Sequence, residues 1–196
     1  DLIDEFADDC FVPLTIGGGI KSLDDIENLL KVGADKICIN TSAVKDLNFI
    51  KNAVEKYGSQ CIVVSVDYKI NSKGVAEVIV LSGEKSTGIN LENHIKKISE
   101  INPGEIILTS IDHDGMMQGY DIKNIKNISD ISSVPIIASG GAGSAADFYD
   151  VINLTGVKAV SAASIFHFTE ITPLDIKKFL DEKKISVRLW WYEKKI

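Results

Sequence analysis

The chain lacks any stretch that reads as a membrane span: none of its apolar runs approaches the roughly 18–20 residues a membrane helix needs. It also lacks an excess of positive charge. Lys and Arg number 21 against 28 Asp and Glu, a net charge of -7, so nucleic acid is not an expected partner. The first ten residues, DLIDEFADDC, are acidic where a secretory leader is basic, so no signal peptide is expected. Cysteine is scarce. Cys10, Cys38 and Cys61 show no CxxC spacing, and two of them sit inside the apolar runs ICIN and QCIVV. They read as buried free thiols in a reducing cytoplasm. His94, His113 and His167 are scattered and near no cysteine pair, so neither a metal site nor a cofactor is expected. Long linkers and low-complexity tracts are missing as well. With 45% hydrophobic residues the chain is apolar enough to bury one core, and residues 1–196 read as a single domain.

What the sequence does hold is alternation. Short apolar runs occur at VPLTI (12–16), DKICIN (35–40), CIVVSVD (61–67), EIILTSID (105–112), VPIIAS (134–139) and KAVSAAS (158–164). Several are apolar almost throughout, which fits parallel strands covered on both faces. Between them lie helical patterns: LDDIENLLKVG, NFIKNAVEKYG, LENHIKKISEI, IKNIKNISDI and AADFYDVINLTG. Three end in Gly, the usual residue just past a helix C-terminus. Strand then helix, repeated, is the pattern of an α/β fold. One segment breaks it. In YKINSKGVAEVIVLSG, Asn71-Ser72-Lys73-Gly74 has turn chemistry and VAEVIVL is strand-like. An antiparallel hairpin inserted in a βα loop is expected at about 68–82.

The chain also repeats itself. VPLTIGGGI and VPIIASGGAG align with Gly18-Gly19 on Gly140-Gly141, an offset of 122 residues. At that offset Ser22-Leu-Asp-Asp25 falls on Ser144-Ala-Ala-Asp147, and both have the S-x-x-D pattern of a helix N-terminus. One residue further, GADKICINTS falls on GVKAVSAASI, so Asn40-Thr41 matches Ala163-Ser164. Two β-α-β units of one plan, about half a barrel apart, predict a (β/α)8 TIM barrel with a half-barrel repeat. Each copy suits an anion. Glycines after a strand let backbone N–H groups approach a ligand, and the next helix N-terminus favours negative charge. The alternative is that Gly-Gly only makes tight turns.

Asp67 ends the strand CIVVSVD, and a carboxylate there sits at the catalytic mouth of such a barrel. Cys61, Val63, Ser65 and Asp67 share one face by the period of two. The competing reading is a loop-fixing Asp. Asp112 and Asp114 in SIDHDG also end a strand, Asp112 as a candidate for orienting substrate and Asp114-Gly115 for turning the loop. The repeat predicts a counterpart of Asp67 at about position −55, so strands one and two, and with them a second acid–base group, are expected to precede the chain.

Taken in order, TIGGGI, ADKICINTSAV, VVSVDYK, SGEKSTGI, GEIILTSIDHDG, QGYD, PIIASGGAG, AASIFHF and VRL resemble the cyclase subunit of imidazole glycerol phosphate synthase. The resemblance implies a lyase-type cyclase of histidine biosynthesis, with a glutaminase partner docked at the N-terminal face of the barrel. It implies a phosphorylated small-molecule substrate and two strand-ending aspartates as general acid and base, of which Asp67 matches the second. By the same resemblance Gly19, Asn40 and Thr41 bind one phosphate, and Gly141, Ala163 and Ser164 the other, with Asp114 and Gly115 nearby. Ser82 and Gly83 open a mobile loop beside the substrate. Lys36 and Glu105 each begin a strand on its inward face, where the family rings an ammonia entrance with charge; Asp35 is a candidate to face the glutaminase.

Two features depart from the family. His113 stands where Arg is usual, and Met116-Met117-Gln118 follow where Thr and Lys are usual. This resembles a paralogous branch associated with surface-polysaccharide genes, which delivers ammonia for sugar amidination. The C-terminal WWYEKKI is also atypical, and Trp190-Trp191 is a candidate to pack on the barrel or touch a partner. Beside the cyclase, two readings stand: that ammonia-delivering partner, and a barrel fragment without activity.

Overall fold

The computed structural model describes residue 10 and residues 12–189; Trp190-Trp191 lies outside the described residues. The strands are β1 (Thr15–Gly17), β2 (Lys36–Ile39), β3 (Ile62–Ile70), β4 (Ala76–Val80), β5 (Lys85–Asn90), β6 (Glu105–Ser110), β7 (Ile136–Ser139) and β8 (Ala159–Ser161). The helices are α1 (Leu23–Lys31), α2 (Thr41–Lys45), α3 (Leu47–Tyr57), α4 (Leu91–Ile101), α5 (Ile122–Ile131), α6 (Ala145–Thr155), α7 (Ser164–Phe168) and α8 (Pro173–Glu182). Six strands run parallel in the order β1-β2-β3-β6-β7-β8, the sheet of a (β/α)8-barrel-type fold with six units among the described residues.

The period of two divides each central strand between two environments. On β3, Ile62, Val64, Val66 and Tyr68 are fully buried in the core shared with the helices, while Ser65 and Asp67 on the other face are half-buried. The helices answer with Ile26, Ile50, Ala53, Ile95, Ile98, Ile125, Ile128 and Val151, all buried. Each large aliphatic buried this way stabilises the fold by about 1.5–3 kcal/mol. The repeat is visible in the elements. α1 and α6 both begin with a capping box, Ser22–Asp25 and Ser144–Asp147. β2 and β8 each lead into a five-residue helix, α2 and α7.

The boundaries differ from the sequence reading where prolines and turns intervene. β1 starts at Thr15 rather than Val12, and β7 at Ile136 rather than Val134; each follows a proline, which has no N–H to pair. β6 stops at Ser110, two residues before Asp112. β3 runs on past Asp67 to Ile70, because Asp67–Ile70 pair antiparallel with β4. The antiparallel excursion extends beyond residue 82: β5 pairs with β4 from Lys85 through Asn90. The short helices α2 and α7, helix α8 and strand β5 had no counterpart among the periodic runs. No helix among the described residues is long and apolar enough to cross a membrane.

Candidate active site

All six parallel strands point their C-terminal ends to one edge of the sheet, and the loops there form the mouth. The glycine turn after β1 lies at one end of that edge and the turn after β7 near the other, with β3 and β6 between. Asp67 stands at the centre, paired in register with Thr109 of β6 and Ile79 of β4. A cleft of about 840 Å³ opens beside it, and Gly19, Asn40, Thr41, Asp67 and Ser82 all line it. Gly83 follows Ser82 in the turn between β4 and β5 and lies outside the lining. Asp114, Gly115, Gly141, Ala163 and Ser164 also lie outside it, toward the far end of the mouth.

The first turn is held from both sides. Ser42 donates its hydroxyl to the Ile20 carbonyl, tying α2 to the glycine loop. The Leu81 N–H donates to the Thr41 hydroxyl at 3.4 Å, which brings the β4–β5 turn over the cleft. That turn is strained. Leu81 and Ser82 both have left-handed backbones, φ 56° and 57°, before Gly83 at 91°. Such conformations in non-glycine residues cost about 1–2 kcal/mol each and gather at functional sites.

The long helices after the glycine turns are capped from within, as their S-x-x-D sequences lead one to expect. Asp25 Oδ2 accepts the N–H groups of Lys21 and Ser22, both at 2.9 Å. Asp147 Oδ2 does the same for Gly143 and Ser144, at 2.9 and 2.8 Å. Each carboxylate takes the two N–H groups just ahead of its helix. The five-residue helices instead begin without a side-chain cap, at Asn40 and Ala163. Sequence reasoning also missed two cations, Lys21 and Lys45, that line the cleft. Lys45 lies one turn along α2 from Thr41, a spacing that puts both on one helix face.

Asp67 accepts the Asn40 amide at 2.8 Å and the Ser65 hydroxyl at 3.5 Å. Burial pushes its carboxyl above the ordinary carboxylate range; the bonds from Asn40 and Ser65 oppose this, and the charge of Asp114 adds to the rise. A carboxyl with elevated proton affinity at a cleft is a candidate general acid–base group. Cys38 lines the same cleft, but burial and then the charge of Asp67 push its thiol up to about 11. It stays protonated at neutral pH and is a poor nucleophile. Among the described residues no three His, Cys, Asp or Glu are grouped to hold a metal ion.

The other candidates make these contacts. The Asp112 carboxylate accepts the Ile70 N–H at 2.9 Å and pairs with Lys69 at 3.7 Å, tying the β6 loop to the end of β3. Asp114 donates its N–H to the Ser110 carbonyl, and Gly115 has φ 76° in the open turn that follows. Gly141 is packed against another loop. A Cβ there would sit 2.1 Å from the Gly119 carbonyl oxygen, whereas one on Gly19 would meet nothing within 4 Å. At the opposite edge of the sheet Lys36 and Glu105 form an ion pair at 2.6 Å, each about 30% exposed. It bridges the starts of β2 and β6 across the intervening β3. Asp35 turns its carboxylate to the Leu14 N–H at 2.7 Å.

By fold the chain is a (β/α)8-barrel-type protein with a carboxyl group poised at the strand-end mouth. Comparison with known proteins gives the family. The model of the histidine biosynthesis protein family matches residues 1–172. Curated relatives named imidazole glycerol phosphate synthase subunit HisF match 96% of the chain. Those of Natranaerobius thermophilus and Dictyoglomus thermophilum are 44% and 48% identical over 189 residues. That of Methanosarcina mazei is 42% identical over 206 residues. The chain spans about three-quarters of the length of these relatives. It belongs to this family, as a homologue of the HisF cyclase subunit.

Proposed function

We propose that the chain carries the cyclase chemistry of imidazole glycerol phosphate synthase, with Asp67 as one of the groups that move protons. The substrate is the phosphoribulosyl-formimino aminoimidazole carboxamide ribotide. Ammonia adds to it, and ring closure with cleavage yields imidazole glycerol phosphate and aminoimidazole carboxamide ribotide. The observation that carries this reading is the carboxyl of Asp67, raised in proton affinity, in one cleft with Gly19, Asn40 and Thr41. Gly19, Thr41 and the cations Lys21 and Lys45 hold one phosphate. Gly141, Ala163 and Ser164 hold the other across the mouth, with Asp114, Gly115, Ser82 and Gly83 beside the substrate. The Lys36–Glu105 pair gates ammonia at the opposite face, where a glutaminase subunit docks. Neither metal nor cofactor takes part.

The names of the relatives favour this reading over an ammonia-delivering partner for sugar amidination and over an inactive fragment. Ammonia-dependent turnover of the ribotide is the direct test. Asp67→Asn keeps the shape and removes the proton acceptor, so turnover should fall by about 10²-fold or more. Full turnover in that variant removes Asp67 from the chemistry.

A further inference from the structure

We propose that Asn40 is a positioning residue for Asp67: its amide holds the carboxylate in one orientation at the edge of the cleft, instead of capping its own helix. This rests on the proposed role of Asp67 as the acid–base group.

Asn is among the best helix N-caps. Elsewhere in this chain polar residues at that position do cap: Asp46, Asn90, Asp121 and Thr172 each accept a backbone N–H of their own first turn. Asn40 stands at the N-cap of α2 and does not. Its amide nitrogen goes to Asp67 Oδ2 at 2.8 Å, with Ser65 Oγ at 3.5 Å. Its amide oxygen is left buried without a partner, a cost normally avoided. The repeat supplies an internal control. The matching position before α7 is Ala163, which builds the same five-residue helix with no polar side chain. The turn itself therefore does not require the amide. At position 40 the amide has the Asp67 carboxylate within reach, and bonds to it.

The sheet makes this contact. Register pairs Cys38 with Val63 and Ile39 with Val64, so Asn40, one residue on, arrives beside Ser65 and Asp67. Among the described residues, Cys38 of β2 carries a protonated thiol beside Asp67, Thr109 of β6 is uncharged, and Asp114 from the loop after β6 is the nearby carboxylate; Lys21, Lys45 and Asp46 line the same cleft. A donated hydrogen bond to the ionised form favours that form. Removing it should raise the proton affinity of Asp67 and free its rotamer.

The test is a carboxyl 13C NMR titration of the purified chain, with the Asp67 signal assigned from Asp67→Asn. The Asp67 midpoint should move up in Asn40→Ala and stay in place in Thr41→Ala. In Asn40→Asp two carboxyls would share the contact, so Asp67 should titrate in two coupled steps, one displaced upward. An Asn40→Ala midpoint that is unchanged or lower overturns the proposal. So does an Asn40→Asp variant in which Asp67 titrates singly at its parent midpoint, which keeps the test open if Asn40→Ala does not fold. No substrate is involved, so the titration tests the Asn40–Asp67 contact separately from the turnover assay that tests the role of Asp67. In an active enzyme Asn40→Ala should lose about 10²-fold in kcat, the scale of a misplaced catalytic group.

Discussion

Gly19 and Gly141 occupy equivalent places in the repeat, and substituting each by Ala should give very different results. Both backbones are left-handed, φ 70° and 117°. Gly19→Ala meets open space, so its cost is that of a non-glycine residue in this region, about 1–2 kcal/mol. Gly141→Ala carries that strain and more. The new methyl group would lie 2.1 Å from the Gly119 carbonyl oxygen and 3.2 Å from His113 Cβ. Relief requires moving the Gly119 backbone by about 1.4 Å, since non-bonded atoms settle near 3.5 Å. That movement breaks the bond from the Gly119 N–H to the Gly141 carbonyl, now 2.8 Å, worth about 1 kcal/mol. Overpacking of this kind adds about 1–3 kcal/mol. The total for Gly141→Ala is then about 3 kcal/mol or more, at least twice that for Gly19→Ala. Urea unfolding measures both, read as a lower midpoint at constant m. Equal losses for the two variants would refute the reasoning, and would mean that the loop from Met116 to Gly119 yields freely.

Three further outcomes are expected. Tyr68, buried beside Asp67 in sequence, donates its hydroxyl to the buried Asp121 carboxylate at 2.9 Å; Tyr68→Phe should lower stability by about 1.5–3 kcal/mol in chemical denaturation, the range for hydrogen bonds to charged groups. His94, 3% exposed and with no partner for Nε2, is held down to about 4 by burial and then by the charge of Lys97. The unfolded chain takes up that proton first, so the stability tied to neutral His94 is whole above about pH 6.5 and is lost as pH falls toward 4; about 3 kcal/mol should disappear in the parent and not in His94→Leu, measured by urea titrations across that range. Lys36→Met should cost about 1–2 kcal/mol, between the values for exposed and buried pairs. In the proposed complex with a glutaminase it should also slow glutamine-driven turnover more than ammonia-driven turnover in paired assays.

Repetition made much of the fold legible. Two Gly-Gly turns with two S-x-x-D sequences behind them fix strand, turn and helix start twice over, and both capping boxes form. Alternation along CIVVSVD likewise sorted Asp67 and Ser65 from the residues that meet the helices. What escaped depends on distances between segments or on elements too short for periodicity. α2 and α7 have five residues each, little more than one turn. β5 reads KSTGIN, polar and broken by Gly88, and is a strand because β4 offers it an edge. The partner of Asn40 follows from the register of β2 on β3, which no local pattern encodes.

The same repeat shows where the two ends of the mouth differ. Lys21 and Lys45 line the first cleft. The residues at the matching positions of the second copy are Gly143 and Phe168, and Phe168 is 78% exposed. In the proposed reading both turns bind phosphate through backbone and hydroxyl donors, and the first adds two cations. Each solvated ion contact contributes about 0.2–1 kcal/mol, so the first turn should bind an isolated phosphate about fivefold more tightly, since 1.4 kcal/mol is tenfold. Titration with inorganic phosphate, followed through backbone amide NMR signals, should move Gly19 and Thr41 at lower concentration than Gly141 and Ser164. Lys45→Ala should narrow the gap, and added salt should narrow it further, because exposed charges are screened within about 10 Å at 0.1 M. If the two sets of signals move together in the parent chain, the lysines do not act on the ligand. The glycine turns would then be equal in affinity as they are in sequence.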